Sequence, residues 1–143
     1  MSRIDIRYIL DKSELATIDW RAVTADLAAD DFDNGRTPEE LRVSFERAYA
    51  VSLAWSGDHL VSMARLLADG VCNAFLIDVW THSGFRRQGI GGEVVRRLCA
   101  TVPGHHVALF TEHHEAFYTE LGFRPELVGM SKVVGTWLDH SSA

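Results

Sequence analysis

Residues 85–92 read Phe-Arg-Arg-Gln-Gly-Ile-Gly-Gly, directly after the apolar run 74–80 and directly before a segment with helical apolar spacing. A strand, a turn rich in Gly and Arg, and then a helix is an arrangement that can hold a pyrophosphate. Glycines let the backbone approach a ligand and adopt angles that a Cβ forbids. The free N–H groups and the positive dipole end of the following helix favour a bound anion. Arg86 and Arg87 add full charges beside those dipoles. The segment therefore points to a phosphorylated cofactor. Its spacing, Arg86-x-x-Gly89-x-Gly91, is neither the G-x-G-x-x-G of a dinucleotide fold nor a P-loop ending in Gly-Lys-Ser/Thr.

Arg-x-x-Gly-x-Gly after a strand resembles the acetyl-CoA loop of the GNAT N-acetyltransferase superfamily. Two further segments carry the same resemblance. Phe117-Tyr118-Thr119-Glu120-Leu121-Gly122-Phe123 is similar to the superfamily's Tyr-x-x-Leu-Gly-Phe signature, and one apolar strand, 107–110, separates it from the loop. Ile77-Asp78-Val79-Trp80-Thr81 resembles the central strand, which in that superfamily splays from its neighbour to admit the pantetheine arm. The likeness runs from about residue 51 to about residue 134.

The resemblance implies acetyl transfer from acetyl-CoA, as cosubstrate, to a primary amine, with a small molecule as the expected acceptor. The amine attacks the thioester carbonyl directly, a tetrahedral oxyanion forms, and the CoA thiolate leaves. Such chemistry needs positioning, a donor for the oxyanion, a proton for the sulfur and a sink for the amine's proton. By resemblance, Arg86, Arg87, Gln88, Gly89, Ile90 and Gly91 bind the pyrophosphate through main-chain N–H groups. Trp80 and Thr81 offer main-chain groups to the pantetheine, and an N–H near Trp80 is a candidate oxyanion donor. Tyr118 matches the tyrosine that protonates the leaving thiolate; the alternative is an aromatic packed on its helix with the hydroxyl capped by a neighbour. The chain departs from many relatives at Thr81-His82-Ser83, in place of Val-x-Pro, at Thr111, in place of an asparagine, and at Gln88 within the loop.

The proton sink is open at this level. Asp78, mid-strand among apolar residues, and Glu112 near a strand end are candidates. Arg65 is an expected neutralising partner for Asp78, because a buried carboxylate needs one; that reading is favoured, with a water chain taking the amine's proton. Asp30, Asp31 and Asp33 lie in the connection that the superfamily uses near the acceptor, and an acidic mouth would attract a cationic amine or polyamine. A peptide N-terminus or a lysine side chain is the other possible acceptor. His105, His106, His113 and His114 have no HExxH or Cys/His ligand spacing, so no metal site is expected.

The elements that must position these residues follow from pattern. Ile4, Ile6 and Tyr8 alternate with polar residues and predict a first strand. Trp20, Val23 and Leu27 have helical spacing behind a candidate N-cap, Asp19. Thr37-Pro38-Glu39-Glu40 has the form of a capping box with Pro at the first helical position, and Leu41 and Phe45 follow on one face. Runs 50–55 and 60–68, joined by Ser56-Gly57-Asp58-His59, predict an antiparallel hairpin. Asp69-Gly70 reverses the chain into a strand over 72–81, apolar on both faces and therefore central. Beyond the loop, Ile90, Val94, Val95 and Leu98 form the apolar face of a helix. A strand over 105–110, a short helix over 112–121 and a last strand over 127–134 complete the pattern. The expected fold is α/β, a GNAT-like mixed and largely antiparallel twisted sheet of about six to seven strands with helices on both faces. It forms one domain over 1–138, followed by a short polar tail, 139–143.

With 143 residues, 47% of them hydrophobic, one domain can bury a substantial core. A net charge of −6 argues against nucleic acid or an acidic membrane surface as partner. Two cysteines, Cys72 and Cys99, make no disulfide framework, and Asp5 and Arg7 stand where a signal peptide would be apolar. A cytoplasmic protein is expected, and the resemblance allows a homodimer. The main rival is a non-catalytic GNAT-like module that holds CoA or a partner protein. A nucleotide-binding protein comes third, because no second-strand acidic residue or P-loop lysine supports it.

Overall fold

Gly57 and Asp58 join two strands by the shortest of loops, with Gly57 at φ +59°, an angle at which a Cβ is disfavoured. The computed structural model describes residues 5–126 and 128–141 of the chain, which separates into two compact units, residues 1–109 and 110–143. In the first unit the strands are β1 (Arg7–Ile9), β2 (Ala50–Ser56), β3 (His59–Ala68), β4 (Asn73–Thr81) and β5 (His106–Ala108). They form one sheet in the order β1-β2-β3-β4-β5, antiparallel throughout except for the parallel pair β4–β5. The helices are α1 (Trp20–Ala29), α2 (Pro38–Glu46) and α3 (Ile90–Cys99), with a 3₁₀ turn, Lys12–Thr17, before α1.

Each helix starts where its local chemistry dictates. The Asp19 carboxylate accepts the Ala22 N–H and caps α1. The expected capping box at Thr37 is present in both directions, Thr37 Oγ1 to the Glu40 N–H and Glu40 Oε1 to the Thr37 N–H. At the β3–β4 reversal the Asp69 carboxylate accepts the N–H groups of Val71, Cys72 and Asn73, which pushes its pKa down to about 2.

Leu27, Leu41 and Phe45 of α1 and α2 pack with Val51, Leu53, Met63 and Trp80 in one core on one face of the sheet. Residues 51–55 of β2 and 60–64 of β3 are buried at every position, so the opposite face is covered as well. Helix α3 covers it, packing across β2, β3 and β4 with Ile90, Val94, Val95 and Leu98 inward. The α/β architecture with helices on both faces is thus present.

Two features of β4 matter for function. Met63 pairs with Trp80 and Arg65 with Ile77, so Ala64 alone stands opposite Asp78 and Val79 in a β-bulge. Asp78 takes the left-handed conformation there, at φ +57°. Its pairing with β5 stops at Phe75, and among the described residues no strand flanks 76–81 on that side. Between residues 76 and 81, β4, an interior strand of the sheet, is therefore unpaired by any described strand on that side.

Among its described residues the second unit holds one helix, α4 (Glu115–Glu120). Among the described residues the sheet has five strands, fewer than the six to seven expected from the sequence. No described residue of the predicted last strand, 127–134, is in a strand, and Leu127 lies outside the described residues. Val128 has φ +43°, which an extended run cannot contain, and Val128, Met130, Val133 and Val134 are exposed. Gly129 lies so close to the Phe110 ring that an added Cβ would clash with it. Ile4 and the end of the polar tail, residues 142 and 143, likewise lie outside the described residues.

Candidate active site

The loop after β4 is built in three steps. His82 Nδ1 accepts the Gly84 N–H at 2.9 Å, and the Phe85 N–H reaches the His82 carbonyl, closing a 3₁₀ turn over Ser83–Phe85. The rings of His59, His82 and Phe85 meet edge to face and support that turn. Arg87 and Gly89 then adopt left-handed angles, φ +64° and +79°, and Gly89 opens α3. No side chain caps this helix, and a Cβ built on Gly89 would have nothing within 4 Å. The start of α3 thus faces open space with its first-turn N–H groups uncapped by any side chain, a cradle suited to a pyrophosphate. Arg86, Arg87, Gln88 and Gly89 are exposed, Gly91 is half-buried, and Ile90 is buried as the first core residue of the helix.

Arg86 turns back from the loop. Its Nε donates to the Thr81 carbonyl at 3.0 Å, and its Nη2 lies 3.4 Å from Asp30 Oδ2. The same Asp30 oxygen accepts the Trp80 indole N–H at 2.9 Å and the Ser83 N–H at 3.2 Å. Burial alone would raise the Asp30 pKa; the Trp80 and Ser83 hydrogen bonds and the Arg86 charge outweigh it and hold the carboxyl below the usual range. Trp80 is buried in the core and Thr81 Oγ1 lies 2.9 Å from Ser62 Oγ, so both side chains are committed to structure. Of the three acidic residues proposed near the acceptor, Asp30 is held by these donors. Asp31 is exposed, and Asp33 is half-buried, its carbonyl accepting from the Arg36 Nε–H.

Asp78 is buried beside two guanidiniums. Arg36 binds it through both oxygens, at 2.8 and 2.9 Å, and Arg65 Nε donates to Oδ2 at 2.6 Å. Burial pushes the carboxyl up, but the Arg36 and Arg65 hydrogen bonds and charges hold it below the ordinary range. A carboxylate so engaged is a poor proton acceptor. Arg65 was foreseeable as its partner; Arg36 was not, because it comes from an irregular connection 42 residues away.

In the second unit, Tyr118 packs edge to face on Phe117 and Phe123. Burial pushes its pKa up to about 12, so the phenol carries its proton at neutral pH. No described residue hydrogen-bonds its hydroxyl. Thr111 Oγ1 accepts the His114 N–H at 3.1 Å, and Glu112 is exposed.

The histidine pairs of the sequence form no ligand cluster among the described residues, whereas Asp26, His59 and His82 bring their ligand atoms within 4.8 Å of one another. His59 Nε2 lies 2.9 Å from Asp26 Oδ2. Because His82 Nδ1 accepts a backbone N–H, the neutral ring carries its hydrogen on Nε2, and that atom has no lone pair to give a cation. The cluster fits a hydrogen-bonded support for the 3₁₀ turn better than a metal centre.

The chain belongs to the acetyltransferase (GNAT) family, whose model matches residues 14–123. A GNAT family acetyltransferase from Streptococcus pneumoniae TIGR4 has a similar structure, with a TM-score of 0.75, 24% identity, and cover of 92% of this chain and 100% of that one. Glucosamine-6-phosphate N-acetyltransferase from Arabidopsis thaliana superposes with a TM-score of 0.66 at 18% identity, over 89% of this chain and 98% of that one. An aminoglycoside acetyltransferase from an uncultured soil metagenomic sample gives 0.64 at 17% identity, over 91% and 97%. No curated protein matches the chain.

Proposed function

We propose that the protein is an acetyl-CoA-dependent N-acetyltransferase acting on a primary amine, with a small molecule as the acceptor. The observation that carries this reading is the flank of β4 at 76–81, which no described strand pairs, followed through a short 3₁₀ turn and glycine loop by a helix with no side-chain cap. That flank has no strand partner among the described residues, so an amide-bearing pantetheine chain can pair with its backbone groups, and the helix start supplies N–H donors for phosphates. Trp80 and Thr81 would hold the pantetheine through the main chain, and 86–91 the pyrophosphate. Bound there, acetyl-CoA supplies an activated thioester.

The chain's own residues then do the rest. Backbone N–H groups near Trp80 stabilise negative charge on the carbonyl oxygen. Tyr118 keeps its proton at neutral pH and delivers it to the departing sulfur as general acid. Asp78 serves the fold, so the amine's proton leaves by water or through another group. Asp31 and Asp33 give the acceptor side a negative potential that favours a cationic amine. The structural relatives named for amino-sugar and aminoglycoside acceptors accord with an amine acceptor, as fold neighbours only.

The family match crosses the boundary between the two compact units, which supports a single domain over 1–138 with a polar tail, 139–143. No described helix is long and apolar enough to cross a membrane, and the net charge is −6. We further propose a cytoplasmic protein that takes neither nucleic acid nor a membrane as partner and can form a homodimer. The test is thiol release from acetyl-CoA over a panel of primary amines, polyamines and amino sugars. Turnover with at least one amine is expected; tight acetyl-CoA binding without turnover on any would favour the non-catalytic module.

A further inference from the structure

Asp30 stands where a carboxylate is electrostatically disfavoured. It ends α1, its own N–H bonded to the carbonyls of Leu27 and Ala28, so its charge lies at the negative end of the helix dipole. A carboxyl side chain left only 9% exposed there needs compensation from elsewhere in the fold. Three donors provide it, and all come from one stretch of chain. The Trp80 indole N–H belongs to the end of β4, the Ser83 N–H to the first residue of the 3₁₀ turn, and Arg86 to the first position of the glycine loop. One oxygen thus touches three successive points on the path from the flank of β4 that no described strand pairs to the helix with no side-chain cap. The second Arg86 contact, to the Thr81 carbonyl, closes the same path on itself.

We infer that Asp30 is a positioning residue for the cofactor, holding the exit of β4 and the start of the glycine loop in register through Trp80 and Ser83. The inference rests on the assignment of residues 86–91 to the pyrophosphate. Without an acceptor at Asp30, the Trp80 indole N–H would be orphaned in the core and the Ser83 N–H released, and the turn before the loop would lose its outer anchor. The same carboxylate ties the end of α1 to the cofactor loop, so this acidic residue acts on the cofactor side and not as a contact for the amine. The two neutral N–H donors need an oxygen acceptor but no charge. An asparagine offers one; an alanine offers none.

The experiment is calorimetric titration of acetyl-CoA into wild type, Asp30→Ala and Asp30→Asn, with hydrogen exchange of the Trp80 indole proton followed by NMR in the same three proteins. Asp30→Ala is expected to weaken acetyl-CoA binding about tenfold or more, the scale of one lost buried hydrogen bond. Asp30→Asn should stay within about threefold of wild type. The indole proton should be protected in wild type and Asp30→Asn and exchange faster in Asp30→Ala. Binding by Asp30→Ala equal to wild type would overturn the inference, as would equal weakening in both variants. Absence of binding by the folded wild type would instead remove the cofactor assignment, and the inference with it, while indole protection would still report whether the hydrogen bond exists.

Discussion

Burial pushes the pKa of both Asp78 and Tyr118 up, and at Asp78 facing charges reverse the effect. Asp78 is ionised in the interior because two guanidiniums face it; among the described residues no cation faces Tyr118, and burial keeps it neutral. Replacing Asp78 by Asn leaves Arg36 and Arg65 buried without a counter-charge, and we expect a loss of about 3–5 kcal/mol in urea unfolding. A loss below about 1 kcal/mol would place the carboxylate outside the structural role assigned here. Tyr118→Phe should lower kcat about a hundredfold with the acetyl-CoA dissociation constant unchanged, as for removal of a positioned acid. Steady-state kinetics beside calorimetry separates this from lost binding. Asp78 needing a cationic partner was legible in the sequence, since a lone carboxylate in an apolar strand is untenable. Arg36 and the Asp30 network were not, because both arise where an irregular connection folds back on β4, and no periodicity records such contacts.

Among the elements, the loop and the hairpins were readable because glycine, proline and capping residues act locally. Thr37 with Glu40, Gly57 with Asp58 and Asp69 with Gly70 each fix a start or reversal within a few residues, and the structure has all three. The bulge at Asp78 and the early end of the β4–β5 ladder depend on pairing between distant strands, which the pattern of one strand does not encode. The strand expected over 127–134 failed for the same reason: apolar residues at strand spacing require a partner ladder, and Val128 leaves the extended region. Gly89→Ala separates conformation from sterics. Open space surrounds its Cβ, so the cost is the left-handed angle alone, about 1–2 kcal/mol. We expect it to appear as weaker acetyl-CoA binding in a protein whose far-UV spectrum is unchanged; unaltered affinity would show that the loop does not need this backbone angle.

For the molecule as a whole, the titrating groups set a stability window. The folded-state pKa values of Asp30, Asp69, Asp78 and Glu93 lie below their ordinary values. Their contribution is therefore present above the unfolded carboxylate range, about pH 4, and is lost as pH falls through the depressed values. Tyr118 has the opposite sign: its contribution is intact below about pH 10 and is lost as pH rises toward about 12. Urea midpoints should accordingly fall as pH drops below about 4 and as it rises above about 9, where Cys99, its thiol pKa raised by burial, begins to lose its contribution before Tyr118 does; a midpoint that rose below about pH 4 would contradict the assigned ion pairs. The central claim, that residues 86–91 bind the pyrophosphate of acetyl-CoA, is tested most directly by calorimetric titration of acetyl-CoA into wild type and into the Arg86→Ala, Gly89→Val double variant. The account predicts tight binding by wild type and none by the folded variant. No binding by folded wild type, or undiminished binding by the variant, would contradict it.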